Sequence, residues 1–122
     1  MSDKRIILEM GMGNDLYGMD YTKAAKRAVQ DALHHSSITL FANLGIDHTD
    51  MRVEVTIGVQ EPDAVDCNAV AAELPRGRAT VRAVKGGLDV ADETAGTRHV
   101  VATAAIEAYL PDLAGQYRLS EA

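Results

Sequence analysis

Residues 51–59 read Met-Arg-Val-Glu-Val-Thr-Ile-Gly-Val, and this run limits the fold more than any other stretch of the chain. Val53, Val55, Ile57 and Val59 alternate with Arg52, Glu54, Thr56 and Gly58. Successive side chains of a strand point to opposite faces, so this pattern describes a strand with one buried side and one wet side. A sheet built around it needs a cover for its apolar face. Residues 21–35 supply one. Asp20 is a good N-cap, and Tyr21, Ala25, Ala28, Val29 and Ala32 make an apolar stripe at helical spacing. Lys23, Lys26, Arg27, Gln30 and Asp31 take the other side. A stripe of alanines lets a helix lie close on a sheet.

The remaining elements follow from the same periodicities. Residues 4–10 read as a strand with Ile6, Leu8 and Met10 on one face, and residues 78–85 as another, closed by Gly86 and Gly87. Residues 38–44 are apolar and suit an extra helical turn ended by Gly45. Asp66 caps a short helix in which Val70 and Leu74 share a face before Pro75 stops it. Residues 89–97 read as an acidic loop. Residues 98–110 fit two periods. As a helix, Val101, Ala104, Ala105 and Ala108 line up, and alanine favours that state. As a strand, Val100, Ala102, Ala104, Ile106, Ala108 and Leu110 form a longer unbroken row, and the strand is preferred.

The expected order is β-α-β-α-β-β, an α+β two-layer sandwich forming a single domain over residues 1–122. Helices cover one face of the sheet, and a subunit interface is the expected cover for the other. The core material points the same way. It is Ala, Val, Ile and Leu, with no Trp and a single Phe, so it packs by close approach or borrows surface from a second copy. A homo-oligomer is expected.

Charge and cysteine usage narrow the function classes. A net charge of −6 and a pI near 5.1, with no basic run, disfavour nucleic acid and anionic lipid as partners. The longest apolar stretch, 100–106, is far too short to cross a bilayer. The apolar run after Lys4 and Arg5 ends at Glu9, unlike a secretory signal. Cys67 is alone and best read as a packed thiol, in keeping with a reducing, cytoplasmic location. His34 and His35 are adjacent, and His48 and His99 are isolated, so no metal site is expected.

One segment is unusual: Gly11-Met12-Gly13-Asn14-Asp15-Leu16-Tyr17-Gly18, between the first strand and the first helix. Three glycines permit positive φ angles and close approach of a ligand, and a helix N-terminus lies just beyond. The pattern is not a dinucleotide fingerprint, because Leu16 stands where the third glycine would fall and Asp15 would repel a pyrophosphate. The site reading makes Asp15 and Tyr17 the catalytic candidates. Gly11, Gly13, Asn14, Gly18 and Lys23 are then ligand-binding candidates for a small anionic or polar molecule. The plainer reading is a glycine-rich turn in which Asp15 bonds nearby backbone N–H groups.

Gly11, Gly13, Asp15 and Gly18 match a GxGxDxHG signature. With it the chain resembles a small family of uncharacterised bacterial and plant proteins, first named from a Listeria open reading frame. The resemblance extends to the helix after the motif, the Met51-Arg52-Val53 strand, Leu74-Pro75, Gly86-Gly87 and the Ala104-Ala105-Ile106-Glu107 segment. It implies a ligand site but no particular reaction or cofactor. Tyr17 replaces the signature histidine, and a phenol with a pKa of roughly 10 does not act unaided as a general base at neutral pH. A remoter likeness links residues 20–37 and the following strand to one repeat of the ring-opening amidohydrolases, the cyanuric acid hydrolases and barbiturases. Two functions remain open from sequence. One is a small-molecule-binding protein or enzyme, hydrolase-like in its chemistry, with its site at residues 11–18 near a subunit interface. The other is a non-catalytic structural or protein-interaction module.

Overall fold

The computed structural model describes residues 4–16, 18–34, 51–74 and 78–110. The elements are β1 (Lys4–Asp15), α1 (Tyr21–His34), β2 (Arg52–Val59), a 3₁₀ turn (Pro62–Ala64), α2 (Cys67–Ala71), β3 (Arg78–Lys85), β4 (Leu88–Asp92) and β5 (Thr97–Leu110). The five strands form one sheet in the order β1-β5-β2-β3, with β4 also paired to β5. β5 is antiparallel to both β1 and β2, so those two run parallel on either side of it, and β3 is parallel to β2. β2 pairs with the second half of β5 and β4 with the first half, so β4 continues the sheet where β2 stops. The chain makes that step at Gly86 and Gly87. A Cβ on Gly87 would lie 2.3 Å from the carbonyl oxygen of Val101 and 2.7 Å from that of Gly58, and its φ of +62° suits glycine.

The α+β class, the helix-covered sheet face and the choice of strand for β5 agree with the sequence. Asp66 caps α2 as expected, accepting from Ala69 N–H at 3.1 Å. Two boundaries are corrected. β1 does not end at Met10 but continues through Gly11 and Gly13 to Asp15, pairing Gly11 with Ala104 and Gly13 with Ala102. Ladder bonds to a long partner strand outweigh the weak strand preference of glycine. The acidic stretch expected as a loop contains β4, whose Leu88 and Val90 pair with Val101 and His99. The order is therefore β-α-β-α-β-β-β. The helical turn expected over 38–44 and the stop at Pro75 fall outside the described residues.

The buried face explains the glycines. Along β1, Ile7, Gly11, Gly13 and Asp15 point towards α1. A Cβ on Gly11 would sit 2.4 Å from Ala32 N, and one on Gly13 would sit 2.3 Å from Ala28 N. Helix backbone thus rests almost directly on strand backbone. Ala24, Ala25, Ala28, Val29 and Ala32 complete the contact from the helix side, all fully buried. They join Val53, Val55, Ile57, Val100, Ala102, Ile106 and Ala108 in one core. The positive-φ glycines among the described residues are Gly87 and Gly96, so Gly11 and Gly13 serve helix approach and not a left-handed turn.

A Cβ at Gly13 has nowhere to go without moving α1. Gly13→Ala is expected to lose about 1–3 kcal/mol in denaturant unfolding, the usual range for overpacking a tight core. Asn14→Ala, on the exposed side of the same strand, should change stability by less than about 0.5 kcal/mol. Equal stability of the two variants would show that the close approach is not constraining.

Candidate functional site

Asp15 ends β1 on its buried side, with only 5% of the residue exposed. Its Oδ2 accepts a hydrogen bond from Asp20 N–H at 2.9 Å, and its Oδ1 lies 3.5 Å from Arg27 Nη1. The same guanidinium donates to the Asn14 carbonyl at 2.6 Å. Asp20 in turn accepts from Lys23 N–H at 3.0 Å through its side chain, which makes it the N-cap of α1. Gly18 is packed against this knot, since a Cβ there would stand 2.5 Å from Asp15 Oδ2. Met19 follows with a φ of +51°, a conformation L side chains rarely adopt. The carboxylate is therefore engaged by the turn that launches the helix.

The remaining predicted residues divide. Gly11 lines a concavity on the far side of β1, described below, while Gly13 is sealed under α1. Asn14 and Lys23 are exposed, and neither lines that concavity. Tyr17 lies outside the described residues. The structure thus brings Asp15 and Gly18 together at the helix entry, where the Lys23 N–H joins them through Asp20, and sets Gly13 further along, under Arg27 and Ala28.

Beside the helix entry is a polar group that sequence reasoning missed. Tyr21 donates its hydroxyl hydrogen bond to Asp89 Oδ2, and Arg98 Nη1 approaches the same oxygen at 3.5 Å. Arg98 Nη2 reaches Glu61 at 3.7 Å. Burial, then the Asp89 carboxylate, pushes the Tyr21 phenol well above its ordinary range, so it stays a neutral donor. In the other row of β5, opposite Val90, the His99 ring faces the Leu16 carbonyl through Nδ1, with Nε2 3.9 Å from Asp92. From sequence, Tyr21 reads as core and Asp89 as loop. The signal was the alternation Leu88, Asp89, Val90, which turns Asp89 inwards on a strand. The arrangement clamps the β4–β5 hairpin to the first turn of α1.

The other side of the sheet has no helix on it among the described residues. The outward rows place Met10 beside Ala105 and Thr56, and Met12 beside Thr103 and Gly58. Val84 of β3 follows next to Gly58. Gly58 and Gly86 leave a hollow there, because a Cβ on Gly58 would meet Thr103 Oγ1 at 2.6 Å. The hollow has a volume of about 590 Å³, and Met10, Met12, Thr56, Val84, Lys85 and Thr103 are among its lining residues. At the free edge of β1, Asp31 accepts the Met12 N–H at 3.0 Å, satisfying an edge donor.

Among the described residues no group of three or more His, Cys, Asp or Glu could hold a metal ion, and no helix is long and apolar enough to cross a membrane. Cys67 opens α2 and packs partly buried against the core.

Comparison with known proteins agrees with this architecture. The chain belongs to the family described as "Conserved hypothetical protein (Lin0512_fam)", which it matches over residues 5–108. It is similar to a FtsZ-like protein of unknown function from Nostoc punctiforme, known from a crystal structure. That protein is 34% identical with a TM-score of 0.77, and the match covers 92% of this chain and 99% of that one. Curated proteins give no match. The family and the neighbour thus fix the fold without supplying an activity.

Asp15→Asn keeps an acceptor for Asp20 N–H and loses only the ion pair with Arg27, which is about half exposed. Its melting temperature is expected to stay close to wild type. Asp15→Ala leaves the Asp20 N–H without that acceptor and should cost about 1–3 kcal/mol. A stability gain in both variants would instead indicate a carboxylate held against the fold for chemistry.

Proposed function

We propose that the protein is a small-molecule-binding module that assembles with copies of itself through the sheet face that carries no helix among the described residues. Its ligand site is the concavity around Gly58 on that face. The observation that carries this reading is the composition of the face. Met10 and Met12 are 66% and 57% exposed, and Leu8, Val84, Leu88 and Val90 are exposed beside them. A contiguous apolar patch of this kind on a sheet is unfavourable in water and marks an interaction surface. The hollow within it falls in the usual size range of small-molecule sites, roughly 300–1,000 Å³.

The rest of the face favours a second copy as the cover. Its other half carries both signs of charge: Arg5 bonds Glu107 at 3.2 Å, Arg52 bonds Glu54 at 2.6 Å, and Arg52 also lies over the Tyr109 ring. A twofold contact presents each patch to its own copy, and a patch with both signs can be self-complementary under that rotation. The hollow would then close between subunits. In this reading Gly11 touches the site directly, while Gly13, Asn14, Asp15 and Gly18 hold its wall in place.

The engagement of Asp15 by its own turn supports binding over acid–base chemistry by that group. The same engagement favours a second reading, a module that binds protein alone and whose motif serves only the fold.

Light scattering at micromolar concentration is expected to give a mass at least twice 13.1 kDa. The paired change Met10→Glu and Met12→Glu, on exposed positions, should shift it to the monomer with little loss of secondary structure. A monomeric wild type would overturn the assembly. Thermal-shift screening against a metabolite library should yield stabilising compounds. A screen with none would leave the protein-interaction reading in its place.

A further inference from the structure

We infer that the concavity takes a neutral planar aromatic compound, its ring lying on the floor between the methionines of β1 and Val84 and its one polar group on the Thr103 hydroxyl. This rests on the ligand site proposed above and names its ligand class.

The register of the sheet lays out the hollow rank by rank. Met12, Thr103, Gly58 and Val84 stand side by side on β1, β5, β2 and β3, all on the outer face. Met10, Ala105 and Thr56 form the next rank, which Arg82 ends. The walls are therefore Met10 and Met12 on β1 and Val84 on β3, about 14 Å apart at the usual strand spacing. Between them the floor is two strands wide and low, because Gly58 has no side chain and Ala105 only a methyl group. Such a floor lets a flat ring lie close to the sheet. Thioethers adapt to an apolar body and make favourable contacts with aromatic rings, so the β1 wall suits the same shape.

Charge is kept out of the hollow. The outward side chains among its lining residues are Met10, Met12, Thr56, Val84, Thr103 and Ala105, and none of them ionises. Lys85 shares the row of Val59 and projects to the helix side, and Asp31 belongs to α1 and holds the Met12 N–H at the free edge of β1. Arg82 does not line the hollow and donates through Nε to Thr56 Oγ1 at 3.1 Å. A charged group on this floor would give up water and gain no partner. The net charge of −6 opposes an anion further. What the floor offers is one hydroxyl. Thr103 Oγ1 leans over Gly58, 2.6 Å from where a Cβ would stand, and makes no hydrogen bond among the described residues. The backbone groups beneath it are paired, since β5 and β2 are interior strands. A ligand thus gains one hydrogen bond at the middle of the floor, to a carbonyl, amide or hydroxyl group.

The test uses naphthalene-2-carboxamide, naphthalene-2-carboxylate and 2-naphthylmethylammonium as neutral, anionic and cationic probes on the intact protein. With no Trp in the chain, naphthalene fluorescence is read without an indole background. Wild type is expected to bind the amide at least tenfold more tightly than either charged probe. The saturated, puckered decahydronaphthalene-2-carboxamide, read by competition, should bind several-fold more weakly than the amide. Thr103→Val keeps the shape of the floor and should weaken the amide several-fold, while 2-methylnaphthalene, which has no polar group, binds it as it binds wild type. Ala105→Phe fills the floor and should abolish binding of every probe, its fold checked by circular dichroism and its assembly by light scattering. A charged probe that matches the amide on wild type overturns the neutral class while the site stands, provided Ala105→Phe removes it. Equal affinity for the saturated amide overturns the aromatic class, and an amide held equally by Thr103→Val overturns the hydroxyl anchor. If Ala105→Phe binds the probes as wild type does, the concavity itself is the wrong site. Failure of wild type to bind the amide overturns the inference.

Discussion

The structure depends on the contact of α1 with β1, where helix backbone meets strand backbone across Gly11 and Gly13. A helix normally stands about 10 Å from a sheet, held off by two layers of side chains. Here one layer is missing on the strand and reduced to alanine on the helix. Each close contact carries little energy alone, but the sum of dispersion over a backbone-on-backbone interface is large. The arrangement also explains a chain with no Trp and one Phe. At this contact there is no space for rings, and the bulk of the core is β-branched residues on β2 and β5.

The turn that delivers α1 to that position is fixed from several sides. Asp15 holds the Asp20 N–H and Arg27, Asp20 caps the helix, and Gly18 makes way for the Asp15 carboxylate. Tyr21, the first helical residue, is tied to Asp89 and through it to Arg98. The family signature therefore reads as a device for helix placement: two glycines for approach, an aspartate for the turn, and a glycine to accommodate that aspartate.

The functional consequence is a division between the sheet's two faces. The inner face is saturated with core contacts, and the motif is used up in building it. The outer face keeps exposed methionines and a glycine-floored hollow. β1 belongs to both: its odd positions press on the helix, and Met10 and Met12, between the glycines and beside them, reach the hollow. The motif and the proposed site are thus two sides of the same strand.

Much of this was legible in the sequence. Alternation in residues 52–59 and 100–110, the alanine stripe of α1 and the caps at Asp20 and Asp66 depend on local periodicity and local hydrogen bonding, which a chain carries wherever it goes. The α+β class followed from them. The length of β1, the existence of β4 and the purpose of Gly11 and Gly13 were not legible, because each is decided by a partner distant in sequence. A glycine reads alike in a turn and beneath a helix until Ala28 and Ala32 are placed over it. Asp89 reads as loop until β5 pairs with it and Tyr21 and Arg98 arrive. The hollow depended on tertiary structure altogether, since Met12, Gly58, Val84 and Thr103 lie on four strands and only the sheet's register sets them side by side.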